Sequence, residues 1–359
     1  MFVFIITLII IFIFGCFLLS ESFNGLFAEI VESDIQKKFS IVIAARNEVE
    51  NITSLISHLT NLDYPQNNFE VILIDDSSTD DTYNLIKELT GDIPNFSLLS
   101  TKKCDSNGKR TALTLGINKA KFPYILITDA DCHPEKNWLN AYSAKFSMDY
   151  DLLYGFAPFY RHKKLVNNIS CFENLRSTFL AFSMTALGLP YTATARNFGF
   201  SKRVFELVGG YSNTRDTKSG DDDLLLREVV KKKLKIGVVT ENNSLVYSET
   251  KNNFSEYFLQ KARHTQTSFY YLIKYKLILG FWHLLNLVFM FSPFLMFINL
   301  SFGLLFPVKF ICDLFVVKSS QKKIKYNFRV LEIIYLQIAY ELLLIINFIN
   351  ARFSKIKWK

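Results

Sequence analysis

Short hydrophobic runs alternate with segments of helical spacing along the chain after residue 38. Three of the runs, at residues 39–43, 69–74 and 124–128, contain several β-branched residues, which favour strands, and the fourth occupies residues 96–99. Between them, hydrophobic residues recur every three or four positions, which predicts helices at residues 49–62, 81–90 and 109–120. This alternation predicts an α/β domain with a mixed, mostly parallel sheet.

A polar cluster follows three of the four predicted strands. The clusters occupy residues 46–48, 75–80 and 129–131. Ligands of parallel α/β sheets bind beyond the carboxyl ends of the strands. We therefore expect the three clusters to converge on one edge of the sheet and to form a single site.

Three hydrophobic blocks are long enough to reach across a membrane, which takes about 20 helical residues. Residues 2–19 carry no charge, residues 277–317 have the length of two spans, and residues 330–349 are interrupted by Glu332 and Glu341. The predicted organisation is a transmembrane anchor at 1–20, a soluble domain at 38–268, a transmembrane hairpin at 277–317, and a basic C-terminal region at 318–359 with a further membrane-associated segment at 330–350.

Basic residues near the first hydrophobic block predict its orientation. Lys37 and Lys38 follow the block and nothing basic precedes it, so the positive-inside rule puts the soluble domain in the cytoplasm, at the inner cell membrane. The block also lacks a small-residue cleavage site, which favours an uncleaved anchor over a signal peptide. We expect a multi-pass membrane protein.

The net charge of +8 does not indicate a nucleic-acid partner. Residues 318–359 contain nine Lys or Arg and two Glu, so most of the excess flanks hydrophobic blocks, where it suits anionic lipid. The five Cys and five His residues show no paired spacing, so neither a disulfide framework nor a zinc site is predicted.

Asp129 and Asp131 lie one residue apart at the exit of a hydrophobic strand. Two such carboxylates repel each other unless a cation lies between them. In a continuous strand both would point to the same face, where they would suit Mg²⁺ or Mn²⁺ with phosphate oxygens as further ligands. The alternative is a structural role in a turn or a helix cap.

Asp75, Asp76 and Asp80 follow the second predicted strand. We expect at least one of them to cap the next helix or to form an Asx turn. Another could accept a hydrogen bond from a base or a ribose hydroxyl. No Gly-x-Gly-x-x-Gly motif follows a strand, so a dinucleotide site is not supported.

Two later segments carry further candidate chemistry. Asp221, Asp222 and Asp223 are consecutive, which suits either the N-terminus of a helix or a general base that deprotonates a hydroxyl. Arg263 could bind a diphosphate through its planar guanidinium, and its alternative partner is a lipid headgroup.

Together these segments resemble the family 2 inverting glycosyltransferases with the GT-A fold. The group in question includes membrane-bound enzymes with a D, D, D, QxxRW pattern, such as cellulose, chitin and hyaluronan synthases and ceramide glucosyltransferase. The resemblance covers about residues 38–268. The motifs, in the family's order, are 45–48 (Ala-Arg-Asn-Glu), 74–80 (Ile-Asp-Asp-Ser-Ser-Thr-Asp), 107–109 (Asn-Gly-Lys), 129–131 (Asp-Ala-Asp), Asn197 with 208–211 (Val-Gly-Gly-Tyr), 220–222 (Gly-Asp-Asp) and 260–264 (Gln-Lys-Ala-Arg-His).

The resemblance implies a set of site residues and a mechanism. Asp75 or Asp76 would hold the uracil or ribose of a UDP-hexose or UDP-HexNAc donor, and Asp129 with Asp131 would hold Mg²⁺ or Mn²⁺ at the diphosphate. Asp222 would take the proton from the acceptor hydroxyl, and the product would have inverted configuration. The implied nucleotide-sugar site comprises Ala45, Asn47, Glu48, Asp75, Asp76, Lys109, Asp129, Gln260 and Arg263.

One departure from the family's pattern bears on the acceptor. His264 replaces the Trp of QxxRW and offers a smaller flat face for a sugar. The membrane portion is also small for a polymer channel. We therefore expect a membrane lipid or a lipid-linked glycan of the cell envelope as acceptor.

Three alternatives remain open. A processive polysaccharide synthase would belong to the same family. A sugar-phosphate nucleotidyltransferase would usually have a glycine-rich N-terminal loop, which residues 44–48 lack. An inactive membrane scaffold would not need the carboxylates that this sequence retains.

Overall fold

A computed structural model describes residues 1–28, 36–104, 108–214 and 220–353. The chain forms two compact units. The helical unit comprises Met1–Ala28, Tyr160–Tyr191 and Thr250–Lys359, and the α/β unit comprises Glu29–Phe159 and Thr192–Glu249. Asn107, a motif residue, lies outside the described residues. The predicted boundaries of the soluble domain, 38–268, remain a prediction, and within them residues 160–191 and 250–268 cluster with the helical unit.

The described residues contain nine strands and thirteen α-helices. The strands are β1 (Phe39–Ala45), β2 (Phe69–Asp75), β3 (Phe96–Ser100), β4 (Tyr124–Ile127), β5 (Cys132–Pro134), β6 (Leu152–Gly155), β7 (Phe198–Ser201), β8 (Ile236–Val239) and β9 (Val246–Ser248). The helices are α1 (Phe2–Gly25), α2 (Val49–Thr60), α3 (Thr82–Thr90), α4 (Lys109–Lys119), α5 (Trp138–Phe146), α6 (Leu165–Ala186), α7 (Lys202–Leu207), α8 (Asp221–Lys231), α9 (Phe254–Ser268), α10 (Ile273–Met290), α11 (Ser292–Leu295), α12 (Leu305–Ser320) and α13 (Val330–Phe353).

The α/β unit is built on a seven-stranded sheet of order β3-β2-β1-β4-β7-β6-β8. Strands β1 to β4 run parallel to one another, β6 runs parallel to β8, and β7 is antiparallel to both of its neighbours. A second sheet pairs β5 with β9 in antiparallel fashion. The predicted mixed, mostly parallel α/β sheet is confirmed.

Hydrophobic periodicity explains why the first helix of this unit packs on the sheet. Ile52, Leu55, Ile56 and Leu59 lie on one face of α2 and are buried in the core with β1 and β2. The strands themselves are buried on both faces, as expected for central parallel strands with helices on each side. The segment order predicted from the sequence therefore matches the fold up to β4.

The strand register brings the polar clusters to one edge. Ala45 at the end of β1 is paired with Asp75 at the end of β2, and Asp75 is paired with Ser100 at the end of β3. The residues that follow these strands consequently emerge side by side. The predicted convergence of the first two clusters, at 46–48 and 75–80, is confirmed by their mutual hydrogen bonds.

The strand before Asp129 ends earlier than the sequence indicates. β4 stops at Ile127, and a turn contains Ala130 and Asp131. The expectation that both carboxylates point from a continuous strand is therefore wrong. The turn forms because β5 must leave the main sheet to pair with β9, and the backbone N–H of Cys132 donates to the Asp129 carbonyl at 3.2 Å within it.

The helical unit contains four helices that are long and apolar enough to cross a membrane. By length and composition these are Phe2–Gly25, Ile273–Met290, Leu300–Ser320 and Val330–Phe353. The predicted anchor at 1–20, the two spans within 277–317 and the segment at 330–350 each overlap one or more of these helices. Helix α6, which the hydrophobic pattern does not single out, packs against α1 and α13 in the same unit.

A network of buried charges lies inside the helical unit. The Lys309 ammonium contacts Asp313 at 3.0 Å and Glu341 at 2.9 Å, and Arg176 contacts Asp313 at 3.1 Å. Lys309 also donates to the Asn286 side-chain carbonyl at 2.8 Å. Charges among apolar helices persist only when they are paired in this way.

Candidate functional site

Asp75 and Asp76 lie side by side at the end of β2 but have different environments. Asp75 is fully buried. Its Oδ1 accepts a hydrogen bond from the Ser78 N–H at 3.3 Å, whereas its Oδ2 has no hydrogen-bond partner among the described residues. A buried carboxylate oxygen without a donor is costly unless a ligand supplies one. Asp75 is therefore suited to accept from a ligand N–H or O–H.

Asp76 organises the loops around it. Its Oδ1 accepts from the Thr101 hydroxyl and from the Gly108 N–H, each at 2.9 Å, and its Oδ2 lies 3.8 Å from the Arg46 guanidinium. Gly108 has φ 125°, which a residue with a side chain rarely adopts, and it precedes the first residue of α4. Asp76 thus fixes the N-terminus of α4 at the site.

Asn47 and Glu48 tie the loop after β1 to the loop after β2. The Asn47 side-chain carbonyl accepts from the Thr79 N–H at 2.8 Å, and the Glu48 N–H donates to the Thr82 hydroxyl at 2.9 Å. Asp80 forms the expected Asx turn, since its Oδ1 accepts from the N–H of Thr82, two residues on, at 3.1 Å. Ala45 contributes its carbonyl oxygen, which accepts from the Asp76 N–H at 2.8 Å.

Lys109 joins two acidic segments that are far apart in sequence. Its ammonium lies 2.6 Å from Asp129 Oδ1 and 3.3 Å from Asp221 Oδ2. Burial acts to lower the pKa of Lys109, but the charges of Asp129 and Asp221 outweigh it and raise that pKa well above its ordinary value. Lys109 therefore keeps its proton and its positive charge, and its position shows that these carboxylates attract a cation.

Asp129 and Asp131 remain close together despite the early end of β4. Ligand atoms of Asp129, Asp131 and Cys132 all lie within 4.8 Å of one another. Burial and the neighbouring Asp131 and Asp129 raise the pKa of the Cys132 thiol well above its usual value. A protonated thiol is a poor ligand, and oxygen ligands suit Mg²⁺ and Mn²⁺, so the two carboxylates are the donors that fit such an ion.

Asp222 and Asp223 form the first turn of α8 and bond to the segment before β7. Asp222 Oδ2 accepts from the Ala195 N–H at 2.6 Å, and Asp223 Oδ1 accepts from the Ala193 N–H at 3.0 Å. Burial, followed by the charges of Asp223 and Asp221, raises the pKa of Asp222 to about 8. A carboxyl with this pKa can exchange a proton near neutral pH, which is what a general base requires.

Sequence reasoning did not place Asp221 in the site. The run of three Asp residues signals that one of them has a special role, but all three occupy the first helical turn, so the pattern cannot select among them. The fold turns the carboxylate of Asp221 toward Lys109 and those of its two neighbours toward backbone N–H groups.

Gln260 and Arg263 lie on α9 in the helical unit and are both partly buried. The Asn253 side chain caps this helix by accepting from the Glu256 N–H at 2.9 Å. Residues 260 and 263 are three apart and so share a face of the helix. Their predicted contact with a nucleotide-sugar stays a prediction.

Comparison with known proteins relates part of the chain to a known family. The model of the glycosyl transferase family 2 matches residues 40–208. Glycosyltransferase AglE of Haloferax volcanii is 28% identical over 100 residues, which are 28% of this chain and 32% of that protein. A beta-monoglucosyldiacylglycerol synthase of a Nostoc species is 34% identical over 100 residues, 28% of this chain and 21% of that protein. The matched segments thus span a third or less of these curated relatives.

A solved structure shares the fold over nearly the whole chain. The mannosyltransferase PcManGT of Pyrobaculum calidifontis, determined with GDP-Man and Mn²⁺, aligns with a TM-score of 0.58 at 15% identity and covers 97% of each chain. At this identity the similarity concerns the fold alone. It confirms the predicted GT-A type of α/β domain, and the family match over residues 40–208 confirms the resemblance to the family 2 glycosyltransferases.

Proposed function

We propose that this chain, a member of the family 2 glycosyltransferases, transfers a hexose or HexNAc from a nucleotide-sugar donor to a membrane lipid or a lipid-linked glycan. The reaction would depend on Mg²⁺ or Mn²⁺ and would invert the anomeric configuration. The observation that carries the proposal is the meeting of Asp129, Lys109 and Asp221 at the carboxyl end of the sheet in a domain of this family.

The donor nucleotide would bind at the ends of β1 and β2. The unpartnered Oδ2 of buried Asp75 suits an N–H of the base or a hydroxyl of the ribose, as in a UDP-sugar. Asp76 would act by holding the loop before α4 in place. Asn47 and Glu48 would act by holding the loop after β1 in place. Ala45 would shape the floor of this pocket through its backbone.

Asp129 and Asp131 would hold the metal ion. Their oxygen chemistry, their proximity and the attraction of this cluster for the Lys109 ammonium support that assignment. A bound Mg²⁺ or Mn²⁺ would supply positive charge against the charge that grows on the leaving nucleoside diphosphate. Lys109 would contribute a further positive charge from this chain, and Gln260 and Arg263 are proposed to contact the diphosphate as well.

Asp222 is the proposed general base, because its raised pKa places its titration near neutral pH. It would accept the proton of the acceptor hydroxyl as that oxygen attacks the anomeric carbon on the side opposite the leaving group. Asp221 is a second candidate for this role, because its carboxylate belongs to the same charge cluster as Asp129. Separate Asn substitutions at the two positions distinguish them.

The acceptor is proposed to be held by the membrane. Four helices have the length and apolar character of membrane spans, and the Nostoc relative is named as a synthase of a glucosylated diacylglycerol. We propose a multi-pass protein of the inner cell membrane with its α/β unit in the cytoplasm. A processive polysaccharide synthase of the same family is the alternative.

Transfer in lipid nanodiscs tests the proposal. The full chain would receive radiolabelled UDP-glucose, UDP-galactose, UDP-GlcNAc or GDP-mannose together with lipid extract and Mn²⁺ or Mg²⁺. Label would be counted separately in the organic phase and in insoluble polymer. We expect metal-dependent label in the organic phase, and label in polymer would instead favour the processive synthase.

Matched variants assign the roles. Asp131→Asn should abolish metal-dependent transfer, and Asp221→Asn and Asp222→Asn should show which carboxylate is the base. Asp92→Asn alters an exposed acid in the turn after α3 and serves as the control. If no donor is bound or turned over, or if Asp131→Asn behaves like the control, the proposed function is wrong and an inactive membrane scaffold becomes the better interpretation.

A further inference from the structure

Lys109 occupies one carboxylate oxygen of Asp129, a proposed metal ligand. Its ammonium lies 2.6 Å from Asp129 Oδ1, and this pair is only partly exposed, with 22% of the Lys109 side chain and 29% of the Asp129 side chain accessible. Asp131, the other proposed metal ligand, has no cationic partner among the described residues. Lys109 therefore neutralises one of the two metal ligands and leaves the other available.

An ammonium and a divalent cation cannot share Asp129 without strong repulsion. Two cations within about 4 Å of each other repel strongly in the partly desolvated surroundings of this pair, the more so when one of them carries two charges. A metal ion that binds both Asp129 and Asp131 must therefore first displace the Lys109 side chain. The same Nζ atom also contacts Asp221, so a movement of the ammonium to a new anionic partner would break both contacts.

The backbone allows the side chain of Lys109 to move alone. The Gly108 N–H is held by Asp76 at 2.9 Å, and α4 begins at Lys109. The start of the helix is thus fixed, whereas the Lys109 stem has four rotatable carbons. A diphosphate near the start of α4 would offer the ammonium a new anionic partner in place of Asp129 and Asp221.

We propose that Lys109 is an internal counter-ion that weakens the binding of free divalent metal at Asp129 and Asp131 and moves to the diphosphate when the donor arrives. Metal and donor then enter together, and Asp221 is released at the same moment. This inference rests on the proposed function for the identity of the donor. The claim that Lys109 weakens the binding of free metal concerns only Lys109 and the two carboxylates, so it can be tested without any donor.

Mn²⁺ titration followed by electron paramagnetic resonance measures both the affinity for free metal and its change when a nucleotide is added. The full chain would be studied in phosphatidylcholine nanodiscs, with Mn²⁺ alone and then with UDP or GDP. Lys109→Gln should bind Mn²⁺ alone about tenfold more tightly than the wild type, as expected for loss of one competing charge pair. The gain in Mn²⁺ affinity on adding the nucleotide should fall by at least tenfold in the same variant.

Four further variants make the result specific. Lys109→Met removes the charge with a side chain of similar length and guards against misfolding of the Gln variant. Lys109→Arg keeps the charge and should keep the weak binding of free Mn²⁺. Lys119→Gln removes a lysine from the other end of α4 and should match the wild type. Asp131→Asn should weaken Mn²⁺ binding in every background.

The first two outcomes below separate this inference from the proposed function. If neutral variants bind free Mn²⁺ no more tightly than the wild type, while Asp131→Asn weakens it, Lys109 is not a competitor and the inference is overturned. If the wild type binds no nucleotide with Mn²⁺, the proposed function fails, and the titration with Mn²⁺ alone still decides the role of Lys109. If Mn²⁺ binds none of the proteins, both are overturned.

Discussion

Asp76 accepts a hydrogen bond at 2.9 Å from the backbone N–H of Gly108, the residue that precedes α4. This bond joins the end of β2 to the helix that carries Lys109. Asp75, its neighbour, instead keeps one buried oxygen without a hydrogen-bond partner among the described residues. The two carboxylates are adjacent in sequence, yet one maintains the loop structure and the other is left for a ligand.

This difference predicts that substitution of Asp76 lowers stability, whereas substitution of Asp75 lowers nucleotide affinity. Asp76→Ala removes the acceptor of one buried and one partly buried hydrogen bond and should lower the free energy of unfolding by about 1–3 kcal/mol. Asp75→Asn keeps an acceptor for the Ser78 N–H and should change stability little, but it should weaken UDP or GDP binding at least tenfold. Thermal unfolding and nucleotide titration of both variants check this, and equal stability losses would contradict it.

Helix α4 packs so closely on the sheet that it tolerates no side chain at Gly116. A Cβ there would lie 2.5 Å from Val42 Cγ1 and 2.7 Å from Ile74 Cδ1, both in buried strands. Gly116→Ala should therefore destabilise the protein by about 1–3 kcal/mol. Gly280→Ala, where a Cβ meets nothing within 4 Å, is the control and should be neutral or slightly stabilising in the same thermal measurement.

The raised pKa of Asp222 predicts how stability depends on pH. The carboxyl titrates near pH 4 in the unfolded chain and near pH 8 in the folded one, because burial and the charges of Asp223 and Asp221 oppose its ionisation. Between these values the folded state holds a proton that the unfolded state has lost. This group therefore makes stability fall as pH rises from about 4 to about 8, by up to about 1.4 kcal/mol per unit.

Asp222→Asn removes this dependence. The variant should match the wild type near pH 5 and should be more stable than the wild type at pH 8, as measured by thermal unfolding across that range. Asp92→Asn should follow the wild-type curve throughout. The same change in stability between pH 5 and pH 8 in the wild type and in Asp222→Asn would contradict a raised pKa of Asp222.

The buried charge network predicts a strong dependence of the helical unit on Lys309. Lys309→Met would leave Glu341 without its cation and Asp313 with Arg176 alone, which should cost about 3–5 kcal/mol. Lys309→Met with Glu341→Gln removes both charges of one pair and should recover part of that loss. Thermal unfolding in nanodiscs measures the two variants, and a single variant as stable as the wild type would mean that water reaches the network.

The fold up to β4 could be predicted from the sequence because its signals are local. Alternation of β-branched runs with amphipathic segments depends on neighbours within one turn or one strand, as in α2 with its buried Ile52 and Leu55. The later elements carry weaker signals. Strands of three or four residues such as β5 and β7 are set by their partners in the sheet, so β7 between β4 and β6 was not foreseen.

The sequence by itself determined the polar strand ends, the hydrophobic blocks and the family motifs, since each is a pattern of residue types at short range. The tertiary structure alone decided which carboxylate does what. It turned Asp221 rather than Asp222 toward Lys109, tied Asp76 to Gly108 and joined Lys309 to Glu341. These pairings connect residues between 32 and 112 positions apart, and side-chain direction within one helical turn depends on the packing of the whole helix, which no local pattern records.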